Sequence, residues 1–69
     1  MSVEFVEADQ DWHTHDTEEV VAVVAGSATF FLDESARIIR ARQVVGIPAA
    51  ASHRVVAHES FSAVAARAE

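Results

Sequence analysis

Apolar and polar residues alternate along this chain with the period of two that a half-buried β-strand requires. Short runs rich in Val, Ile, Phe or Thr cover residues 3–7, 18–25, 28–32, 36–41, 44–47, 53–56 and 61–66, separated by turn residues at Gly26-Ser27, Asp33-Glu34-Ser35 and Pro48-Ala49. Short strands at this spacing predict an all-β sandwich or barrel. A polar loop is expected over residues 8–11, leading into Trp12. The last run has two readings, because Ala63, Ala65, Ala66 and Ala68 give residues 61–69 a helical propensity; strand is the reading adopted. Val21, Val23, Val45, Ile47 and Val55 fall on the inward side. Consecutive Phe30 and Phe31 put one ring in the core and one outside, where it is free for a subunit contact.

No linker, repeat or low-complexity stretch divides the 69 residues, so a single domain over 1–69 is expected. A chain of this size buries only about 60% of the surface its unfolded form exposes, so its core needs a supplement. With no Cys, disulfides cannot provide it; a bound metal or a subunit interface can, and a homodimer is expected. The longest apolar run, Val20 to Ala25, is far too short to span a membrane. An acidic N-terminus without a basic start predicts a cytoplasmic location.

Net charge is −6, and all five basic residues are Arg. Such a surface repels phosphate backbones, and no basic stripe with interleaved aromatics offsets it, which argues against nucleic-acid binding. Arg37, Arg40 and Arg42 form a small cluster. Charge runs of this kind are usually solvated strand edges paired with nearby Glu or Asp; the sharper reading is contact with an anionic ligand or with a carboxylate of a partner subunit.

Four residues carry metal-compatible chemistry: His13, His15, Glu19 and His53. Positions 13, 15 and 19 share strand parity, so their side chains are expected to face one interior, and His53 opens a strand just after the Pro48 turn. A lone His-x-His pair is weak evidence and usually marks a surface or satisfied core position; the joint spacing with Glu19 and His53 is what favours a metal. Glu18 has the opposite parity and is expected outside. His58 is expected in an exposed turn, Trp12 on the outer face, and Asp16 and Thr17 in a turn with no chemical role. With no Cys, Lys or Tyr, thiolate and Schiff-base catalysis are absent, and no Ser has His and Asp partners outside the metal set. The small apolar interior predicts a dry pocket for a small organic molecule.

The arrangement His13-Thr14-His15, three residues, Glu19, six residues, Gly26, followed by Pro48-Ala49-Ala50, two residues and His53, resembles the cupin family's two motifs, Gly-x5-His-x-His-x3,4-Glu-x6-Gly and Gly-x5-Pro-x-Gly-x2-His-x3-Asn. The departures fall on structural positions: Glu7, Arg42 and Ala50 stand where the family has Gly, and Ala57 where it has Asn. The resemblance implies a small double-stranded β-helix (jelly-roll) barrel, pared down at its N-terminus and completing its sheets with a neighbour's edge strands. It implies that His13, His15, Glu19 and His53 hold one divalent transition metal per chain, Fe or Mn being favoured and Zn, Ni and Cu compatible with the same ligands. Four protein ligands on an octahedral ion leave two positions for a chelating substrate. The expected activity is that of a mononuclear metal-dependent enzyme, foremost a dioxygenase. A metal-dependent isomerase or lyase comes next, then a non-catalytic small-molecule or metal-binding module. Fold likeness alone does not choose among them.

Overall fold

The computed structural model describes residues 1–68, which form strands β1 (Ser2–Val6), β2 (Gln10–His13), β3 (Glu19–Ala25), β4 (Ser27–Leu32), β5 (Ser35–Arg40), β6 (Val44–Ile47), β7 (His53–Ala57) and β8 (Ser62–Arg67). They make two four-stranded sheets, β1-β8-β3-β6 and β2-β7-β4-β5, in which every pairing is antiparallel. No helix occurs among the described residues, so none is long and apolar enough to cross a membrane.

The core lies between the two sheets. Val6, Val21, Val23, Ile47, Ala63 and Ala65 face it from one side, and Ala28, Phe30, Ile39 and Val55 from the other, with Phe61 packed edge-on against Phe30 at 6.4 Å. This is the alternation expected from the sequence. Residues 62–67 are strand, and Glu69, part of the contested terminal run, lies outside the described residues. β8 sits between β1 and β3, where Ala63 and Ala65 are buried against neighbours on both sides. That packing and the pairing of both strand edges override the helix propensity of Ala.

Most strand ends shift by one residue from expectation, and two shifts change an element. Gln10 and Asp11 belong to β2, where a loop was expected, and Ser35 opens β5 instead of closing the turn. β2 pairs with β7 through a register shift between Gln10 and His13, so the alternation that betrays a regular strand is broken there.

Gly26 is the corner at which the chain passes from one sheet to the other. Its φ is +66°, and a Cβ at this position would stand 2.6 Å from the Ser60 carbonyl oxygen, so only glycine fits. Arg42 and Ala50 also have positive φ, 75° and 65°.

Candidate metal centre

The two sheets bring His13, His15, Glu19 and His53 together at one end of the sandwich. His13 closes β2 and sits opposite His53 at the start of β7, both in one sheet; Glu19 opens β3 in the other. His15 lies on the connecting segment 14–18, outside any strand. The convergence therefore arises from strand ends meeting across the sandwich and from a loop, and not from shared strand parity as the spacing suggests.

That loop is tied at both ends of its path. The His15 carbonyl accepts the Ala50 N–H at 2.8 Å, which anchors it to the turn after Pro48. Thr17 Oγ1 donates to the Ala68 carbonyl at 2.6 Å, giving Thr17 a structural task beyond turn formation.

The imidazole rings crowd one another. Centroids of His13 and His53 are 4.0 Å apart, those of His13 and His15 4.9 Å, and one ligand atom from each of the three rings lies within 4.8 Å of the others. Glu19 stands beside this cluster, its side chain buried, with Oε2 3.6 Å from His15 Nε2 and Oε1 3.7 Å from His53 Nε2.

Hydrogen bonds assign the tautomers of neutral rings. His13 Nδ1 meets the Asp11 carbonyl at 2.6 Å and His53 Nδ1 meets the Ala51 carbonyl at 2.9 Å. A carbonyl only accepts, so both Nδ1 atoms carry the proton and both Nε2 atoms present a lone pair. His53 Nε2 is fully buried and has no hydrogen-bond partner. An orphaned buried acceptor is costly unless something binds it. A backbone carbonyl orienting the distal N–H of an imidazole is also the usual support of a metal-ligating histidine. The residues present therefore fit a divalent transition metal: imidazole nitrogens converge, a buried carboxylate offsets charge, and one lone pair is otherwise unused.

His15 is held differently. Arg67 Nη1 lies 2.6 Å from its Nδ1, and Arg67 Nε lies 3.5 Å from Glu19 Oε2. Burial, with smaller contributions from Arg67, His13 and His53, lowers the His15 pKa below its ordinary 6.5, against the opposing pull of Glu19. Arg67 is the residue that sequence reasoning missed. It shares strand parity with Ala63 and Ala65, so an inward-facing guanidinium at the end of that strand was readable.

Other expectations meet mixed outcomes. Glu18 is exposed, and Trp12 lies on the outer face against Phe31 at 6.2 Å between ring centroids. His58 is half-buried instead of exposed, its ring bridging Ser27 Oγ at 2.7 Å and Thr29 Oγ1 at 2.9 Å across the β7 to β4 boundary. Arg37, Arg40 and Arg42 form no ion pair among the described residues, contrary to the usual fate of such a cluster. Arg37 instead lines a cavity of about 310 Å³ at the β5 and β6 side of the sandwich, with Phe30, Leu32, Ile39, Val45 and Gln43. None of the clustered ligand residues forms its wall, but Leu32 is the cross-strand partner of His53, so the cavity begins one strand from the cluster.

The sequence matches the family model described as Cupin domain over residues 2–66. No curated protein matches it. Among solved structures it is similar to a cupin-2 domain containing protein from Shewanella frigidimarina, with 26% identity and a TM-score of 0.79 over 91% of this chain and 63% of that one. It is also similar to a structure of the DMSP lyases RdDddP and RnDddQII, with 28% identity and a TM-score of 0.75 over 96% of this chain and 36% of that one. The DMSP lyase DddQ of Ruegeria pomeroyi shares the fold at 22% identity, with a TM-score of 0.82 over 97% of this chain and 36% of that one. The chain thus spans less than two thirds of the length of each.

Proposed function

The chain belongs to the cupin family, and on that premise we propose that it binds one divalent transition metal through His13, His15, His53 and Glu19 and acts on a small chelating organic substrate, dioxygenation being the leading reaction. The observation that carries this reading is the unpartnered Nε2 of buried His53, beside the His13 Nε2 lone pair that the Asp11 carbonyl sets free. When bound, the metal supplies Lewis-acid polarisation of substrate oxygens and, if it is Fe or Mn, access to dioxygen chemistry.

The chain's own residues do the rest. His13 and His53 are locked into the tautomer that offers Nε2, which removes the cost of reorienting them. Glu19 keeps a carboxylate buried next to the imidazoles and offsets part of the positive charge gathered there. Arg67 holds that carboxylate in place and gives the site a cationic side chain for an anionic substrate group. The cavity beyond Leu32 has room for the substrate's apolar body, against a wall of Phe30, Ile39 and Val45. No thiol, amine or phenol of Cys, Lys or Tyr is available as a second base, so substrate binding and orientation are the protein's main contribution.

A Lewis-acid lyase or isomerase is the second reading, favoured by the 28% identity to a DMSP lyase structure. Metal content of the purified chain by elemental analysis, followed by oxygen uptake with a panel of chelating enols, catechols and thiols, separates the two. Stoichiometric Fe or Mn with substrate-dependent uptake supports the dioxygenase. A stoichiometric metal without uptake supports the lyase, the isomerase or a binding module. Unchanged metal content in His53→Ala sinks the ligand set itself.

A further inference from the structure

The chain has 11 acidic residues, yet β4, β5 and β7 contain none of them and hold three of the five arginines. The outer face of the β2-β7-β4-β5 sheet is therefore a cationic window in an anionic surface. Register places Arg54, Phe31 and Ala36 in one row across it, and Val56, Thr29 and Ile38 in the next. The Arg54 guanidinium stacks 5.6 Å from the centre of the Phe31 ring, and Trp12 leans on the same ring at 6.2 Å. Trp12 and Ile38 are 46% and 49% exposed, and Arg54 has no ion pair among the described residues. The one carboxylate of β2, Asp11, already accepts the Trp12 N–H at 2.8 Å.

We infer that this face docks a short acidic segment of another polypeptide, extended, with carboxylates and an aromatic side chain at alternate positions. Aromatic residues and Arg concentrate binding energy at interfaces, while Asp and Glu are depleted there. Stacking on Phe31 fixes the Arg54 fork in advance and leaves its N–H edge free, the arrangement that takes a carboxylate bidentately. Trp12 and Ile38 offer the apolar contacts on either side. Four strands about 4.8 Å apart and some five residues long make a face on the order of 300 Å². That is well short of the roughly 800 Å² that a folded partner covers, and it suits a single extended segment. A second copy docked through the same face would set Arg40 and Arg54 against themselves, a like-charge cost. The net charge of −6 repels a phosphate backbone, so a nucleic-acid strand is a poor occupant.

Trp12 is the only tryptophan, so its fluorescence reads this face directly. The probe is the blocked peptide Glu-Ser-Phe-Ser-Glu, whose Glu and Phe side chains share one side when extended. It is expected to shift Trp12 emission saturably, and Lys-Ser-Phe-Ser-Lys and Glu-Ser-Ser-Ser-Glu are not. Arg54→Gln should weaken binding at least tenfold, and Ile38→Asp, which sets a carboxylate against the peptide's own, should abolish it. Both positions are exposed, so both variants should keep the β-sheet circular dichroism. No saturable shift, equal binding of the Lys peptide or of an oligothymidylate, or full affinity in Arg54→Gln overturns the proposal. So does a sedimentation mass that rises with concentration in wild type and not in Arg54→Gln, which would give the face to a second copy.

Discussion

Arg67 donates from Nη1 to His15 Nδ1 at 2.6 Å, and this bond sets the tautomer of His15 against that of its two neighbours. Arginine has donors only, so Nδ1 must offer the lone pair, and neutral His15 then carries its proton on Nε2, the nitrogen nearer Glu19. For His15 to give Nε2 to a metal, the proton has to move to Nδ1, which abolishes the bond from Arg67. Arg67 and a metal thus compete for His15 and for the charge of Glu19. The expected result for Arg67→Met is metal affinity higher by about tenfold, the equivalent of ~1.4 kcal/mol. In chelator-treated protein the same variant should lose roughly 2 kcal/mol, the scale of a charge-assisted hydrogen bond. Competition titration against a chromophoric chelator and urea unfolding read the two arms. Equal affinities in wild type and variant would sink the competition while leaving the ligand set standing.

Acid should weaken the same region. Burial depresses the His15 pKa below 6.5, with Glu19 opposing. Above 6.5 the ring is neutral both folded and unfolded, and its contribution is fully present. Below it the unfolded chain takes up a proton that the folded chain still refuses, so unfolding gains and stability falls until the folded pKa is reached. Urea midpoints of chelator-treated protein, measured downward from pH 7, should therefore drop in that window. His15→Asn should flatten the drop; an identical slope in the variant would assign it to other groups.

Backbone strain sits at two of the positions where the sequence departs from the family pattern. Arg42 and Ala50 occupy two of the three positions at which the resemblance calls for a glycine that the chain lacks, and both have left-handed φ, 75° and 65°. A non-glycine residue there costs about 1–2 kcal/mol, offset in part by the roughly 0.5–1 kcal/mol of chain entropy that glycine would lose. Ala50→Gly and Arg42→Gly are each expected to raise stability by about 0.5–1 kcal/mol in urea unfolding. Gly26→Ala should do the reverse and cost more than about 2 kcal/mol, since its new Cβ would meet the Ser60 carbonyl oxygen as well as a forbidden φ.

The same positions explain how much the chain discloses by itself. Period-two alternation gave the strand course because one face of each strand is buried, and it failed at Gln10 and Asp11, where the pairing to Val55 and His53 slips. The ligand residues were legible from spacing, but the reason they meet was not. Parity says nothing about His15, which lies in a loop fixed by the Ala50 N–H, a contact 35 positions away in the chain. Arg67 escaped notice for a related reason: its partners, His15 and Glu19, are distant in sequence, and only the β3 to β8 register that pairs Glu19 with Arg67 brings them side by side.

That register argument extends to Arg37, the charged residue in the wall of the cavity beside β5 and β6. Arg37 sits opposite Phe30 on the inner parity of edge strand β5, without an ion-pair partner among the described residues. An inward-pointing charge on an edge strand discourages sheet-to-sheet aggregation, and that role needs no ligand. The cavity wall separates the two roles, because Phe30, Leu32 and Ile39 offer an apolar seat and Arg37 one cation at its lip, a match for a small molecule with an apolar body and a carboxylate. Short aliphatic and aromatic carboxylates should therefore shift the backbone amide resonances of β4, β5 and β6, and Arg37→Gln should weaken their binding by about tenfold, or ~1.4 kcal/mol, without changing metal content. Arg40→Gln, on the outer face of the same strand, should leave binding as it is. If both variants weaken it equally, the attraction is a diffuse effect of surface charge and the cavity is not the seat.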